Sequence, residues 1–589
     1  MKHLAALIAF LSLAVLTINV NGAARPNIIL FVTDDQVKEE LACYGGKVLT
    51  PHIDRLAREG MRFDNAHVPS TVCTPSRYAL LTGRFPGNSY FKPYLAEHPK
   101  NAQGDTGFNV GLEDDNMNIG NALREAGFVT GLVGKLHVGP ELKKREQYEE
   151  LGLYYPDSDA DPDAPETIAG WQRNERWYRE WVKGKGFSWA KHNYWGNIKA
   201  PYGEHNAEWT LEAALEFVEE NKDKPFYLHY TTTLMHGGGK GWSDSLNHPL
   251  VSGAGKLDKL PDVIPSRDKL RKQVADGGFE PNTVGFTWMD ATVGALLAQL
   301  DRLGIADNTL FVFVSDHGTE GKWSLHDHNG TAVPCIMRWP NGIKAGTASS
   351  SLVQTTDFVP TFLDIAGVKK PEGYRIDGVS LRPLLTDPQR EVHDHLFFEL
   401  GNGRAVRTRD WKYIAIRYTV DQFLGIQSAD LKRLPRSLGY IGNDKSLSRH
   451  MGRRSHFLDS DQLYHLDQDP LEANNLARNT DHSEQLDKLK KTLTKELESQ
   501  GRPFGEFIPG PDAVPVEKIQ PYLQKLTQLK VIKRGFEVID DKPGEPPRLV
   551  FSGWMFASSP ALSALEHAVY DVWVIDCKIA AASGKSGNE

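Results

Sequence analysis

Asn27-Ile28-Ile29-Leu30-Phe31-Val32-Thr33 runs into Asp34-Asp35 without an intervening charge. A strand with one wet face would alternate polar and apolar residues, and this stretch does not. It predicts a strand buried on both faces, the kind that lies in a parallel sheet covered by helices. Similar runs recur at residues 129–133, 226–231 and 309–314. Helical patterns at 53–59, 119–126, 208–219 and 288–303 are interspersed with them. That alternation predicts an α/β fold with a mainly parallel sheet flanked by helices.

Ligands of such sheets bind beyond the carboxyl ends of the strands. Asp34-Asp35 and Asp316-His317 follow two of the predicted strands directly, and Gly134-Lys135-Leu136-His137 and His236 lie at or a few residues past the ends of two others. Four separate segments therefore deliver ionisable residues to one edge.

Beyond residue 396 the texture changes. Phe397-Phe398-Glu399-Leu400, Ala405-Val406-Arg407, Trp411-Lys412-Tyr413-Ile414-Ala415-Ile416 and Asp461-Gln462-Leu463-Tyr464-His465-Leu466-Asp467 predict short strands of a small antiparallel sheet. Residues 483–499 predict an exposed charged helix, and 502–514 a linker. The expected plan is a signal peptide over 1–24, a catalytic domain over 25–395, an antiparallel subdomain over 396–505, and a linker with a small tail module over 506–589.

The chain has 40% hydrophobic and 24% charged residues, ordinary for a globular protein with a large core. A net charge of -8 offers no basic face for nucleic acid. Lys2 and His3 precede an apolar run over 4–20 and the small residues Asn21-Gly22-Ala23-Ala24, the pattern of a secretory signal. A secreted or periplasmic protein without stable membrane insertion is expected. Four cysteines in 589 residues are no disulfide scaffold. The sequon Asn329-Gly330-Thr331 falls beside the predicted site, where a glycan would obstruct it, so a bacterial source is expected.

Thr71-Val72-Cys73-Thr74-Pro75-Ser76-Arg77 leads into Leu80-Leu81-Thr82-Gly83-Arg84. Here the chain resembles the type I, formylglycine-dependent sulfatases of the alkaline phosphatase superfamily. In that family a maturation enzyme reads C-x-P-S-R followed by L-T-G-R and oxidises the cysteine to formylglycine (3-oxoalanine). Arg25-Pro26-Asn27 through Asp35, Thr50-Pro51-His52-Ile53-Asp54, the G-x-x-T-G-x-x-G-K-x-H block from Gly127 to His137, Lys224-Pro225-Phe226 with His236, and Ser315-Asp316-His317-Gly318 keep the family's order. The resemblance runs from about residue 25 to residue 502.

The resemblance implies an alkaline-phosphatase-like fold, sulfuric ester hydrolysis and a formylglycine-generating enzyme as maturation partner. It implies Asp34, Asp35, Asp316, His317 and the residue 73 oxygen as metal ligands. Hard oxygen donors suit Ca2+, with Mg2+ as the other option. His317 stands where asparagine is commoner, and its nitrogen is softer. Arg77 would hold the oxidised side chain of Cys73, while Lys135 and Lys322 would face the sulfate. One hydroxyl of the hydrated aldehyde would attack sulfur. His137 would deprotonate the second hydroxyl so that sulfate leaves, and His236 would assist the leaving alcohol. Two departures stand out: His236 lacks the family's neighbouring proline, and His326, Asp327 and His328 blur the match after Lys322.

The stretch from Trp171 to Trp195 carries Trp171, Trp177, Tyr178, Trp181, Trp189, Tyr194 and Trp195. These rings either stack on sugars or pack an inserted subdomain. With export, they favour a sulfated polysaccharide or oligosaccharide as substrate. An arylsulfatase, or a phosphonate monoester or phosphodiester hydrolase of the same superfamily, is the alternative. The tail around Ser552-Gly553-Trp554 resembles the end of a small exported bacterial domain of unknown function. The sugar, the sulfate position, the oligomeric state and any disulfide pairing are left open.

Overall fold

A computed structural model describes residues 25–139, 142, 144–198, 200–237, 244–427 and 444–528, with four short tail strands at Gly535–Asp540, Arg548–Trp554, Leu565–Glu566 and Asp571–Val572. The expected signal peptide and Cys577 lie outside the described residues.

Eight strands form the main sheet: β1 (Asn27–Thr33), β2 (Met61–Phe63), β3 (Val129–Lys135), β4 (Trp189–Tyr194), β5 (Phe226–Thr231), β6 (Thr309–Ser315), β7 (Cys335–Arg338) and β8 (Thr347–Ser349). Their order is β8-β2-β7-β6-β1-β5-β3-β4. Every pairing is parallel except those of β7 with β6 and β2. The mainly parallel reading is correct, and its cause is visible in β1. Ile28, Leu30 and Val32 enter the core on one face, Ile29 and Phe31 the core on the other. Five fully buried apolar side chains contribute on the order of 10 kcal/mol of transfer free energy, opposed by chain entropy.

Helices cover both faces. α1 (Pro51–Glu59), α5 (Ala207–Asn221) and α6 (Val284–Leu303) pack with Ile29 and Phe31. α2 (Cys73–Thr82), α3 (Ile119–Glu125) and α4 (Pro165–Gly184) pack on the opposite side. The aromatic-rich stretch is therefore no inserted subdomain. Its first half is α4 and its second half is β4, the edge strand paired with β3. The sequence around β4 hides this, because Lys191, His192 and Asn193 interrupt the apolar run.

A second sheet, β9 (Leu396–Leu400), β10 (Gly403–Arg407), β11 (Trp411–Ile416) and β12 (Asp461–His465), is antiparallel throughout. One face buries Leu489, Leu493 and Leu497 of α8 (Ser483–Gln500). The other meets Leu447 and Met451 of α7 (Asp444–Arg453), together with Val72 and Leu325 from beside the first sheet. Cys43, Cys73 and Cys335 are free thiols, and burial pushes Cys43 up to about 12. No helix among the described residues is long and apolar enough to cross a membrane.

Candidate active site

Strand register brings the sequence-predicted site residues level. Thr33 pairs with Ser315, Val32 and Gly134 both pair with Thr231, and Lys135 pairs with Tyr194. The residues after these five strand ends share one edge. Gly134 has φ 92°, and a Cβ there would overlap the Thr231 carbonyl oxygen, so only glycine fits beside Thr231 immediately before Lys135.

Residue 73 is delivered differently. Val72 is extended, Cys73 opens α2, and Gly83 ends the helix at φ 65°. The Cys73 sulfur thus stands at the positive end of a fully buried helix. Its Sγ lies 3.3 Å from His317 Nε2, 3.6 Å from Asp34 Oδ1, 3.6 Å from Lys322 Nζ and 3.7 Å from Lys135 Nζ. Ligand atoms of Asp34, Cys73, Asp316 and His317 all lie within 4.8 Å of one another, as a shared cation would require. Asp35 is outside that set, but its Oδ1 is 3.1 Å from His317 Nε2 and accepts from Lys322 Nζ at 2.9 Å. His317 Nδ1 donates to the Gly318 carbonyl at 3.0 Å, which aims Nε2 inward.

Three carboxylates are matched by three cations. Lys135 pairs with Asp34, and Arg77 bridges Asp316 at 2.9 Å and Asp34 at 3.4 Å. Arg77 thus orients the carboxylates that flank Cys73. Burial opposes ionisation of Asp34, yet Lys135 and Arg77 hold its carboxyl well below the usual range. Asp35 is lowered likewise, against burial, by Lys322 and His317. Burial disfavours charge on His317, and Asp316 and Asp35 outweigh it, raising the imidazole to about 9. An ion binding there would displace that proton.

The other histidines stand apart from the cluster. His137 has its ring stacked on Phe108 at 5.2 Å and edge-on to Trp195 at 5.9 Å, with Nδ1 buried and unpartnered. Burial, then the Lys135 and Arg77 charges, push it well below its ordinary value. His236 Nε2 lies 3.3 Å from Lys322 Nζ and 3.5 Å from Asp35 Oδ2. Burial lowers it despite the Asp34 and Asp35 carboxylates. Asp35, His137, Trp323 and Asn329 all hold positive φ, at 53°, 55°, 68° and 55°. Each such residue costs of order 1–3 kcal/mol, and such strain gathers where a fold over-determines a site.

Two contributors escape the sequence reading. Asn197 accepts from Lys135 Nζ at 2.9 Å and donates to His236 Nε2 at 3.1 Å, and Phe108 covers His137. Asn197 follows the carboxyl end of β4, so recognising that strand would have pointed to it. Phe108 comes from an irregular segment with no signal. A pocket of about 530 Å³ opens beside His236 and Asn197, lined by Trp171, Asn174, Tyr178, Tyr194, Trp195 and Glu204 among others. The Trp171 Nε1–H is buried without a partner. Trp189 instead packs on Phe217, and Trp177 and Trp181 pack against the core.

Comparison with known proteins agrees with this geometry. The Sulfatase family profile matches residues 26–368, N-sulphoglucosamine sulphohydrolase, C-terminal, matches 316–456, and an uncharacterized family conserved in bacteria (DUF2155) matches 526–577. An ulvan-active sulfatase of Formosa agariphila is 27% identical over 500 residues, covering 82% of each chain. An N-acetylgalactosamine-6-O-sulfatase of Bacteroides thetaiotaomicron is 27% identical, over 81% of this chain and 94% of its own. A sulfatase crystal structure from Bacteroides fragilis, 20% identical, superposes with a TM-score of 0.56 over 82% of this chain and 98% of that one. One profile spans more than half the chain and runs through every strand end that carries a sequence-predicted site residue: the chain belongs to the sulfatase family.

Proposed function

We propose that this sulfatase removes sulfate from a sulfated carbohydrate, with Cys73 converted to formylglycine and a divalent ion held by Asp34, Asp35, Asp316, His317 and residue 73. The observation that carries the reading is the convergence of two ammonium groups, a carboxylate and an imidazole within 3.7 Å of one buried sulfur at a helix N-terminus. The sulfur stands in for the oxygen of the matured side chain.

The donor set fits the ion. Oxygens dominate, suiting Ca2+ or Mg2+, and the three carboxylates are already balanced by Arg77, Lys135 and Lys322. When bound, the ion acidifies the nucleophilic hydroxyl and neutralises sulfate charge. Lys135 and Lys322 flank residue 73 and hold the sulfate oxygens as charge shifts toward the leaving group. His137, kept uncharged by its surroundings, accepts the proton of the second hydroxyl of residue 73, which re-forms the aldehyde as its C–O bond to sulfate breaks. His236 delivers one to the departing alcohol: an anionic sulfate beside it favours its imidazolium form.

Support for a sugar comes from the pocket next to His236, whose aromatic walls suit a pyranose face, and from relatives that act on sulfated glycans. Trp171→Ala is expected to lower kcat/KM on sulfated oligosaccharides about tenfold and leave an aryl sulfate within about twofold. Equal losses on both substrates would remove the pocket from sugar binding. We also propose export through the N-terminal leader, processing by a formylglycine-generating enzyme, and the four-part domain plan. The decisive experiment is mass analysis of the tryptic peptide containing Cys73, then rates on defined sulfated glycans beside a phosphodiester. An intact thiol from a host with the maturation enzyme, or faster phosphodiester cleavage, would overturn the reading.

A further inference from the structure

Lys322 occupies the least regular part of the site. It sits in the segment between β6 and β7, and the residue after it, Trp323, holds φ 68°. A tryptophan in the left-handed region stays there only if its neighbours are pinned. On the far side, Ser324 is pinned by Thr71, whose hydroxyl donates to the Ser324 carbonyl at 2.6 Å and accepts from the Ser324 amide at 3.2 Å. On the near side, the Lys322 carbonyl is held from 128 residues away: His450 Nε2 donates to it at 2.8 Å.

The geometry points to His450 as the positioning residue for Lys322, so that helix α7 of the antiparallel subdomain sets the ammonium against residue 73. This rests on the reading that Lys322 faces the sulfate. His450 is fully buried, and its ring lies flat on Phe457, with centroids 4.6 Å apart and planes 14° from parallel. Phe457 in turn stacks on His326 of the same active-site segment. Burial lowers His450 to about 3, so the imidazole is a neutral donor at working pH. One turn further on, Arg453 pairs with Glu320.

The segment's other end is fixed from the same subdomain. Asp327 accepts from Arg407 Nε at 2.6 Å and from Lys412 Nζ at 2.5 Å, and the Thr331 hydroxyl donates to it at 2.8 Å. With both ends held, removing the His450 bond lets Lys322 and Trp323 relax together, and the ammonium loses its place between Asp35 and residue 73. A shift of about 1 Å in a catalytic group costs up to about a hundredfold in rate.

The test is a double-mutant cycle on fully matured protein, with an aryl sulfate as substrate. His450→Ala is expected to lower kcat about tenfold with KM little changed, and His450→Gln, whose amide reaches the same carbonyl, to recover most of it. In a Lys322→Ala background, His450→Ala should change kcat less than about twofold, because the residue it acts through is gone. Melting temperatures accompany each variant, and His450→Asn, too short to reach, replaces alanine if that variant does not fold. Additive losses, or a glutamine variant as slow as alanine at equal stability, would overturn the role of His450 alone. A Lys322→Ala enzyme with wild-type kcat would remove the role of Lys322 and this inference with it.

Discussion

Cys73→Ala is expected to lower sulfate-ester turnover by at least about four orders of magnitude with the fold intact. Cys73 is 1% exposed, and His317, Asp34, Lys322 and Lys135 converge on its sulfur within 3.7 Å. Alanine removes the atom on which that charge is focused and leaves its surroundings undisturbed. Helix α2 tolerates the change because alanine is a strong helix former and the helix is held by burial along its whole length. Initial rates on an aryl sulfate and a sulfated oligosaccharide, with matched circular dichroism and melting curves, provide the measurement. An alanine variant retaining more than about a hundredth of the wild-type rate would show that residue 73 is not the nucleophile.

Asp34→Asn strikes both the proposed ion and the balance of buried charge. We expect a loss of about three orders of magnitude in kcat/KM and a marked fall in Tm. Lys135 and Arg77 are both about 1% exposed; Asp34 is the carboxylate paired with Lys135 and shares Arg77 with Asp316. An amide leaves buried cations short of a partner, which costs about 3–5 kcal/mol. The sign of the pH dependence follows from the lowered Asp34 carboxyl. A depressed folded-state value adds stability that is complete above the unfolded value, near 3.9, and is lost as pH falls through the folded one. The Tm gap between wild type and variant, measured in chelator, should therefore stay constant from neutral pH to about 4 and narrow below it. Added Ca2+ should raise Tm of the wild type and leave the variant unmoved. A variant as stable as wild type in chelator would mean that Asn197 and Asp316 suffice as partners for Lys135 and Arg77.

The comparison of sequence and structure divides along a physical line. Residues 27–33 announce a doubly buried strand because five consecutive β-branched or large apolar residues leave no face for water, and the ionisable residues at the ends of β1, β3, β5 and β6 inherit a common edge from that fold. The stretch around Cys73 is likewise legible without the fold, since the residues that carry its resemblance are consecutive in the chain. Local periodicity and short motifs were enough for these. They were silent on β4, whose polar interior broke the pattern, and therefore on Asn197. They left the aromatic residues between sugar stacking and packing, because whether a tryptophan faces a cavity or a core depends on the helix packed behind it. Nothing near Lys322 in the chain indicates that a histidine 128 residues later pins its carbonyl. Contacts across such separations have no local signature, since they come into being only when the second sheet closes over the first.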